Sequence, residues 1–325
     1  MNRRSFVRNS AILIPPSLIG RAFAADAEWP TKPIRIIAPF APGGGPDILA
    51  RLLAQQMSPN VGSIIVENRA GAAGNIGADY VAKAAPDGYT LLLTTTATQA
   101  INPALYPAIP YDPMKDFTPI GMVASTPLIL AAAPNFEASN LKELIALAKS
   151  KPGKLSFASA GIGTMQHMVG VLFEQRAGVE MLHVPYKGSS QVVPDLISGR
   201  VSVMFNSTAA LGPMIKDGRL KALAVTSPKR LPGFPDVPTM AEAGLPGFEA
   251  SAWYAMFGPA HMPPAIVQRL NKELAKAVAS PAGRDTYASL GLDAVASTPE
   301  ELGAVTARDL GTWSGIIKEK HIRAE

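Results

Sequence analysis

Residues 34–53 read IRIIAPFAPGGGPDILARLL and join an apolar run, three consecutive glycines and a helical pattern. The run Ile34–Ala38 predicts a buried strand, and the spacing of the aliphatic residues in 48–53 predicts one buried face of a helix. Glycines between a strand and a helix let a ligand oxygen approach the backbone amides, and the helix dipole favours negative charge there. This segment therefore indicates either an anion site or a tight turn in which Asp47 is a structural cap.

On either side of this segment, short apolar runs alternate with amphipathic stretches along most of the chain. This alternation is typical of an α/β fold in which helices cover largely parallel sheets. Two helices are expected to begin near Ser139-Asn140, by side-chain capping, and at Pro263-Pro264, by the fixed proline φ. The predicted strands are Ile34–Ala38, Ser63–Val66, Thr90–Thr94, Pro127–Ala133, Leu155–Ala158, Met181–Val184, Val201–Phe205 and Lys221–Thr226.

Two proline-rich segments interrupt the alternation, at 102–116 and at 227–247. Because they bracket a central α/β block, they predict two lobes between which the chain crosses and later returns. Domain 1 would comprise 26–124 and 226–325, and domain 2 would comprise 125–225. A single elongated domain with two long loops is the alternative.

A second glycine turn follows the predicted strand Leu155–Ala158, and a helical pattern follows that turn. In open α/β sheets, ligands bind in the crevice at the carboxyl ends of the strands, so the two glycine turns are expected to face one crevice. Candidate residues in or after the second turn are Ser159, Ala160, Gly161, Gly163, Thr164 and His167. Further candidates at strand ends are Thr95, Thr96, Tyr186, Asn206 and Lys187, the last either a carboxylate partner or a solvated lysine.

The composition argues against several other functions. The net charge of +5 is concentrated in residues 1–24, which carry four arginines and no acid, so nucleic-acid binding is not expected. There is no cysteine, and the four histidines lack metal-ligand spacing, so no metal site is predicted. Catalytic motifs such as GxSxG and HExxH are missing. Gly71–Gly77 lacks dinucleotide spacing and indicates a glycine-rich loop entering a closely packed helix.

Residues 1–25 have the pattern of an export signal peptide. Arg3, Arg4 and Arg8 form a positive region, a short apolar stretch follows, and Ala22-Phe23-Ala24 fits a cleavage site. The adjacent arginines leave both a twin-arginine and an ordinary Sec leader open. No later segment is apolar for long enough to cross a bilayer, so a free periplasmic protein is expected.

Ordered blocks along nearly the whole chain resemble the periplasmic solute-binding proteins of the tripartite tricarboxylate transporter (Bug) family. They include PFAPGGGPD (39–47), VENRAGAAG (66–74), APDGYTLLL (85–93), YDPMKDFTPIGMV (111–123), SAGIGTMQH (159–167) and HVPYKGSS (183–190). The resemblance implies a two-lobe, hinge-closing fold of the periplasmic-binding-protein type II class. It also implies a monomer without cofactor that holds a small organic carboxylate and delivers it to membrane permease subunits.

The resemblance further assigns ligand contacts to the two glycine loops. In the first loop these are Phe40, Ala41, Gly44, Gly45, Pro46 and Asp47, and in the second they are the six residues from Ser159 to His167 given above. Pro46 stands where the family often has a hydroxyl residue, and Asn206 replaces a common aspartate. A mono- or dicarboxylate is expected, with aromatic acids as candidates because of Phe40. The alternatives are a receptor of the same fold that acts on a membrane sensor kinase, and a periplasmic hydrolase using Ser159 and His167.

Overall fold

The computed structural model describes residues 29–186 and 188–323. The predicted signal peptide and Lys187 lie outside the described residues. Helices and strands alternate as the sequence indicates. The strands are β1 (Ile34–Ala38), β2 (Ile64–Asn68), β3 (Thr90–Thr95), β4 (Phe117–Ala132), β5 (Ser156–Ser159), β6 (Leu182–Pro185), β7 (Val203–Ser207), β8 (Lys221–Val225), β9 (Ser251–Pro259) and β10 (Asp293–Ala294). The α-helices are α1 (Gly45–Val61), α2 (Asn75–Ala82), α3 (Asn102–Leu105), α4 (Leu141–Ser150), α5 (Met165–Ala177), α6 (Ser189–Ile197), α7 (Thr208–Lys216), α8 (Pro264–Ala279), α9 (Pro281–Ser289) and α10 (Pro299–Glu319).

The two predicted helix starts are confirmed. The Asn140 side chain accepts a hydrogen bond from the Glu143 backbone N–H and caps α4. Helix α8 begins with Pro264 in its first turn, where the missing proline N–H has no intrahelical partner to lose. The last helix, α10, begins with a reciprocal capping box between Thr298 and Glu301.

The described strands form one sheet with the order β2-β1-β3-β9-β4-β7-β5-β6, and β8 and β10 pair with β4 outside this order. Strands β1, β2 and β3 are mutually parallel, as are β5, β6 and β7. The strands at the centre, β4 and β9, run antiparallel to their neighbours. The expectation of largely parallel sheets is therefore right for the two outer groups of strands and wrong for the centre. There β9 is antiparallel to β3 and β4, and β4 is antiparallel to β7, because β4 and β9 connect the two halves of the sheet.

The chain changes pairing partners where β4 passes from one half of the sheet to the other. Residues 117–127 pair with β9, and residues 128–132 pair with β7 and β8. At this junction the Leu128 N–H donates to Thr226 Oγ1 at 2.8 Å, and Thr226 Oγ1 donates to the Ala250 carbonyl at 2.6 Å. Thr226 therefore links the three segments that connect the halves. The junction lies close to the predicted domain boundaries, which stay predictions.

Apolar packing covers both faces of the sheet. Within the described residues, one cluster beneath α1 and α8 includes Leu49 and Leu270, and another in the second half includes Val192 and Leu211. A third cluster extends from Ile37 in β1 to Phe205 in β7 and so spans both halves. Burial of each such side chain contributes roughly 1.5–3 kcal/mol. No helix in the described ranges is long and apolar enough to span a bilayer.

Candidate functional site

The first glycine loop, residues 40–47, is called the first cradle here. Gly43 has a φ of 81°, and Gly44 precedes α1 in an extended conformation without any side-chain cap. The amides of Gly45 and Asp47, in the first turn of α1, donate to no described residue. The predicted strand, glycine turn and helix start are confirmed, and the amides without partners place partial positive charge at the start of α1.

Asp47 is buried and stabilises the conformation of the first cradle through hydrogen bonds. Its Oδ2 accepts from the Gly43 N–H at 2.9 Å, and its Oδ1 accepts from Asn68 Nδ2 at 2.9 Å and lies 3.0 Å from an Arg51 guanidinium nitrogen. Burial opposes ionisation, but the hydrogen bonds from Arg51, Gly43 and Asn68 outweigh it and lower the pKa of Asp47. The carboxylate is therefore held by groups of the protein, but it bonds to the Gly43 amide before the helix and does not cap α1, so the expectation of a structural cap is not met. A ligand contact by Asp47 stays a prediction.

Phe40 lies against the glycine-rich segment that follows β2. A Cβ placed on Gly74 would be 3.1 Å from the Phe40 ring and 2.7 Å from Thr98 Oγ1. Gly74 has a φ of 94°, so glycine is required there for both conformation and space. A Cβ on Gly77 would lie 2.6 Å from Pro39. The prediction of a glycine loop leading into a closely packed helix is confirmed, since α2 begins at Asn75.

The second glycine loop, residues 159–167, is called the second cradle here. The Thr164 hydroxyl donates to the Gly161 carbonyl at 2.7 Å and caps α5 by accepting from the His167 N–H. Gly161 and Gly163 have φ angles of 137° and 76°, which side chains disfavour. The amides of Ala160 and Ile162 have no hydrogen-bond partner among the described residues. This loop therefore also exposes backbone donors at a helix N-terminus.

The two glycine amides of the second cradle are bonded internally instead. The Gly161 N–H donates to Ser159 Oγ at 3.1 Å, and the Gly163 N–H donates to His167 Nδ1 at 3.1 Å. Ser159 is fully buried, and its Oγ lies 2.7 Å from Nε2 of His183. Ser159 is thus paired with His183, not with His167 as the hydrolase alternative supposes. Sequence reasoning gave His183 no role, because the pairing depends on the register of β5 and β6.

The two histidine rings stack directly beneath the second cradle. Their centroids are 3.9 Å apart, and His183 also stacks on Phe157 with centroids 4.9 Å apart. Burial, together with the neighbouring His183, lowers the pKa of His167 to about 4. Burial likewise lowers the pKa of His183 to about 4. Both rings are therefore neutral near pH 7, and a neutral His167 retains the lone pair that accepts from Gly163.

Most of the remaining candidates are engaged in the protein. Thr96 Oγ1 accepts from the Trp253 N–H at 2.7 Å, and the Tyr186 hydroxyl donates to Asp195 at 2.7 Å. Asn206, at the end of β7, accepts from Gln166 Nε2 at 3.2 Å and so joins β7 to the start of α5. Thr95, at the end of β3, is partly exposed. The structure places these residues at strand ends, and their ligand contacts stay predictions.

The second cradle also meets the first half of the chain. A Cβ placed on Gly163 would lie 2.5 Å from Leu105 Cδ2, so this glycine packs directly on α3. A residue that sequence reasoning missed is Tyr254, whose hydroxyl lies beside Gly45 in the first cradle. It was missed because β9 itself was not predicted. In the described part of the chain, no group of three or more His, Cys, Asp or Glu side chains has the arrangement of a metal site.

Comparison with known proteins identifies the family to which this chain is related. A family model described as a tripartite tricarboxylate transporter family receptor matches residues 49–322. A UPF0065 protein from the tcbD-tcbE intergenic region of Pseudomonas sp. (strain P51) is 41% identical over 94% of this chain and 90% of that protein. Protein BugT of Bordetella pertussis is 38% identical over 98% of both chains.

Solved structures with similar folds contain bound carboxylates. Rpa4515 of Rhodopseudomonas palustris, solved with adipate, is 34% identical and has a TM-score of 0.70, with 91% of this chain and 99% of that chain covered. MatC from the same organism, with bound malate, is 32% identical and has a TM-score of 0.67, with 89% and 99% covered. The fold is thus the two-lobe fold of a periplasmic solute-binding receptor. The chain belongs to the tripartite tricarboxylate transporter receptor family, which includes the Bug proteins.

Proposed function

We propose that this protein captures a small organic carboxylate between its two lobes in the periplasm and presents it to the membrane permease subunits of a tripartite transporter. The observation that carries this proposal is the pair of cradles, one at the end of β1 and the other at the end of β5, each with unpaired amides at a helix N-terminus. Relatives of the same fold bind adipate and malate, which are dicarboxylates.

Backbone amides alone can bind a carboxylate ligand with micromolar affinity, without a cationic side chain paired to the carboxylate. A hydrogen bond to a charged group contributes about 1.5–3 kcal/mol. Four to six such bonds, less the cost of immobilising the ligand, reach the roughly −8 kcal/mol of micromolar affinity. The amides of Gly45, Asp47, Ala160 and Ile162 are the donors we assign to the ligand.

The geometry favours binding over turnover. Ser159 has no exposed surface, and its Oγ is already bonded to the Gly161 amide and to His183. A nucleophilic serine needs an accessible oxygen and a base that is oriented by a third group. Within the described residues, no carboxylate is hydrogen-bonded to His183. We therefore propose a receptor and not a hydrolase.

The remaining predictions belong to the same proposal. Residues 1–25 would direct export and be removed, and the mature protein would be a monomer without cofactor. One lobe would comprise 26–124 and 226–325, and the other 125–225, with the Thr226 junction between them as the hinge. Mass spectrometry of the mature N-terminus and light scattering of the purified protein test the cleavage site and the monomer.

A calorimetric and thermal-shift screen against malate, adipate, succinate, citrate and benzoate tests the ligand class. At least one carboxylate is expected to raise the melting temperature, and the rise should grow with the logarithm of its concentration above Kd, because it binds the folded state alone. Saturation with that carboxylate should also reduce the radius of gyration in X-ray scattering. Absence of binding across the panel would contradict carboxylate capture, and binding with an unchanged radius would contradict lobe closure.

The permease partner is tested in cells. Deletion of the gene should abolish uptake of the radiolabelled carboxylate identified in the screen, and reintroduction of the full chain should restore it. If uptake persists while a sensor-kinase response to the same carboxylate is lost, the sensing alternative replaces the transport role.

A further inference from the structure

Tyr254 occupies the centre of the sheet, on the face that carries α1. It lies opposite Thr95 of β3 and Ala124 of β4 in the strand register. Its ring packs against the apolar cluster that includes Leu49 of α1. Because successive side chains of a strand alternate between faces, this position directs the tyrosine towards the N-terminal turn of α1.

The hydroxyl of Tyr254 reaches the first residue of α1. A Cβ placed on Gly45 would be 3.0 Å from the Tyr254 hydroxyl oxygen and 3.4 Å from Cε1 of the ring. Gly45 is not among the positive-φ residues, so its backbone conformation does not call for glycine. What glycine provides at position 45 is space for the phenol, and this accounts for the third glycine of the GGG sequence.

The hydroxyl is available as a donor at this position. It makes no hydrogen bond to any described residue, whereas the buried hydroxyl of Tyr111 lies 2.7 Å from the Thr98 carbonyl. Burial raises the pKa of Tyr254, so the phenol keeps its proton at neutral pH. A protonated phenol next to a helix N-terminus is complementary to an oxygen that carries negative charge.

We propose that Tyr254 donates its hydroxyl hydrogen to a ligand carboxylate held at the amides of Gly45 and Asp47, and that it determines specificity for an anionic group in the first cradle. This inference rests on the proposed function. Pro46 supplies neither an N–H nor a hydroxyl to this turn, and the phenol provides a side-chain donor in its place. Asp47 cannot serve as an acceptor for a ligand ammonium group while Gly43 and Arg51 occupy its Oδ2 and Arg51 and Asn68 occupy its Oδ1.

The experiment compares Tyr254→Phe with Tyr287→Phe by titration calorimetry against malate, adipate, succinate, citrate and benzoate. Tyr287 has a buried hydroxyl without a partner and belongs to the same apolar cluster, but it lies in α9, and no hydrogen bond among the described residues joins its hydroxyl to either cradle, so it is a matched control. Tyr254→Phe should weaken binding roughly 10- to 100-fold, the range of one hydrogen bond to a charged group, with the melting temperature of the unliganded protein unchanged. Tyr287→Phe should leave the affinity unchanged.

A spectroscopic readout keeps the inference testable if Tyr254→Phe folds poorly. In protein labelled with 13Cζ-tyrosine, the Tyr254 resonance, identified by its loss in the variant or by exclusion with other Tyr→Phe variants, should shift on saturation with the carboxylate that binds. A merely structural tyrosine would not respond.

The role of Tyr254 and the capture of a carboxylate are contradicted by different results. Equal affinities for the wild type and Tyr254→Phe, or an unmoved 13Cζ resonance at saturation, would overturn the role of Tyr254 and leave carboxylate capture intact. If the wild type bound none of the panel, the proposed function and the role of Tyr254 would both be overturned.

Discussion

The backbone N–H of Leu128 donates to the hydroxyl of Thr226 at 2.8 Å, and the two residues lie at adjacent crossings between the halves of the sheet. Thr226 N donates in turn to the Leu128 carbonyl at 2.9 Å, so the contact is reciprocal. Thr226 is fully buried, and water cannot replace its hydroxyl without rearrangement of the junction. One side chain therefore holds the register of the strands that connect the two lobes.

Thr226→Val should lower the free energy of unfolding by about 2–4 kcal/mol, because the Leu128 N–H and the Ala250 carbonyl would each lose a buried partner. Thr226→Ser keeps the hydroxyl and removes one methyl group, at a cost of about 1 kcal/mol. Urea unfolding of the three proteins measures the difference. A loss in Thr226→Ser that equals or exceeds the loss in Thr226→Val would contradict the dominant contribution of the hydroxyl to this junction.

The stacked histidines predict a specific loss of stability in acid. The pKa of His167 is about 4 in the folded protein against an ordinary value of 6.5, so the unfolded chain binds protons between these values that the folded protein does not. The free energy of unfolding is then highest above about pH 7 and falls as the pH drops from 6.5 towards 4, by roughly 3 kcal/mol for His167.

Denaturation at pH 7, 6, 5 and 4 measures this dependence, with His167→Gln/His183→Gln as the test variant. Its stability should change less between pH 7 and pH 4 than that of the wild type, since carboxylates contribute equally to both proteins. His321→Asn, which changes an exposed histidine, is the control and should retain the wild-type slope. A wild-type slope in the double variant would show that the stacked rings are not the titrating groups.

The role of His167 as an acceptor predicts opposite outcomes for two substitutions. His167→Asn places a carbonyl oxygen near the position of Nδ1 and should preserve the bond from the Gly163 N–H. His167→Leu leaves that amide unpaired, and should lower the free energy of unfolding by about 1–3 kcal/mol and weaken ligand binding. Thermal unfolding and calorimetry distinguish the two. A His167→Asn variant with stable fold but no binding would instead assign His167 a direct ligand contact.

The contact between the second cradle and α3 predicts a large effect of Gly163→Ala. The new methyl group would collide with Leu105, and the alanine backbone would have to adopt a φ of 76°. Gly178→Ala is the matched control, since Gly178 has a φ of 62° with no atom within 4 Å of its Cβ position. The control should cost about 1–3 kcal/mol from backbone strain alone.

Gly163→Ala should therefore destabilise the protein more than Gly178→Ala, and Leu105→Ala in the same chain should recover part of the excess. Urea unfolding of the single and double variants gives the interaction free energy between positions 163 and 105. An equal cost of the two glycine substitutions would contradict packing between this loop and α3.

The local sequence pattern of apolar residues, glycines and helix-terminus residues predicted many of the strands and helices. The predicted strand Ile34–Ala38 matches β1, and the predicted Thr90–Thr94 matches all but the last residue of β3. Both glycine turns lead into helices as expected. These features depend on burial periodicity and helix termini, which neighbouring residues encode.

The centre of the sheet was not predictable in this way. The first part of β4 contains Pro119 and Gly121, residues with low strand propensity, and it is held by pairing with β9 through shifts in register. The hydrogen bond between Ser159 and His183 likewise joins residues 24 positions apart and requires β5 and β6 to be neighbours. The position of Tyr254 beside Gly45 depends on a still longer separation. Contacts of this kind follow from tertiary pairing, which no local pattern contains.

The position of β9 between β3 and β4 has a consequence for biosynthesis. Residues 251–259 emerge from the ribosome after more than three quarters of the chain, yet they fill the middle of the sheet. Until then, the facing edges of β3 and β4 have no partner, and exposed edges of this kind are recognised by chaperones and prone to aggregate. Completion of the central sheet is thus delayed until more than three quarters of the chain has been synthesised.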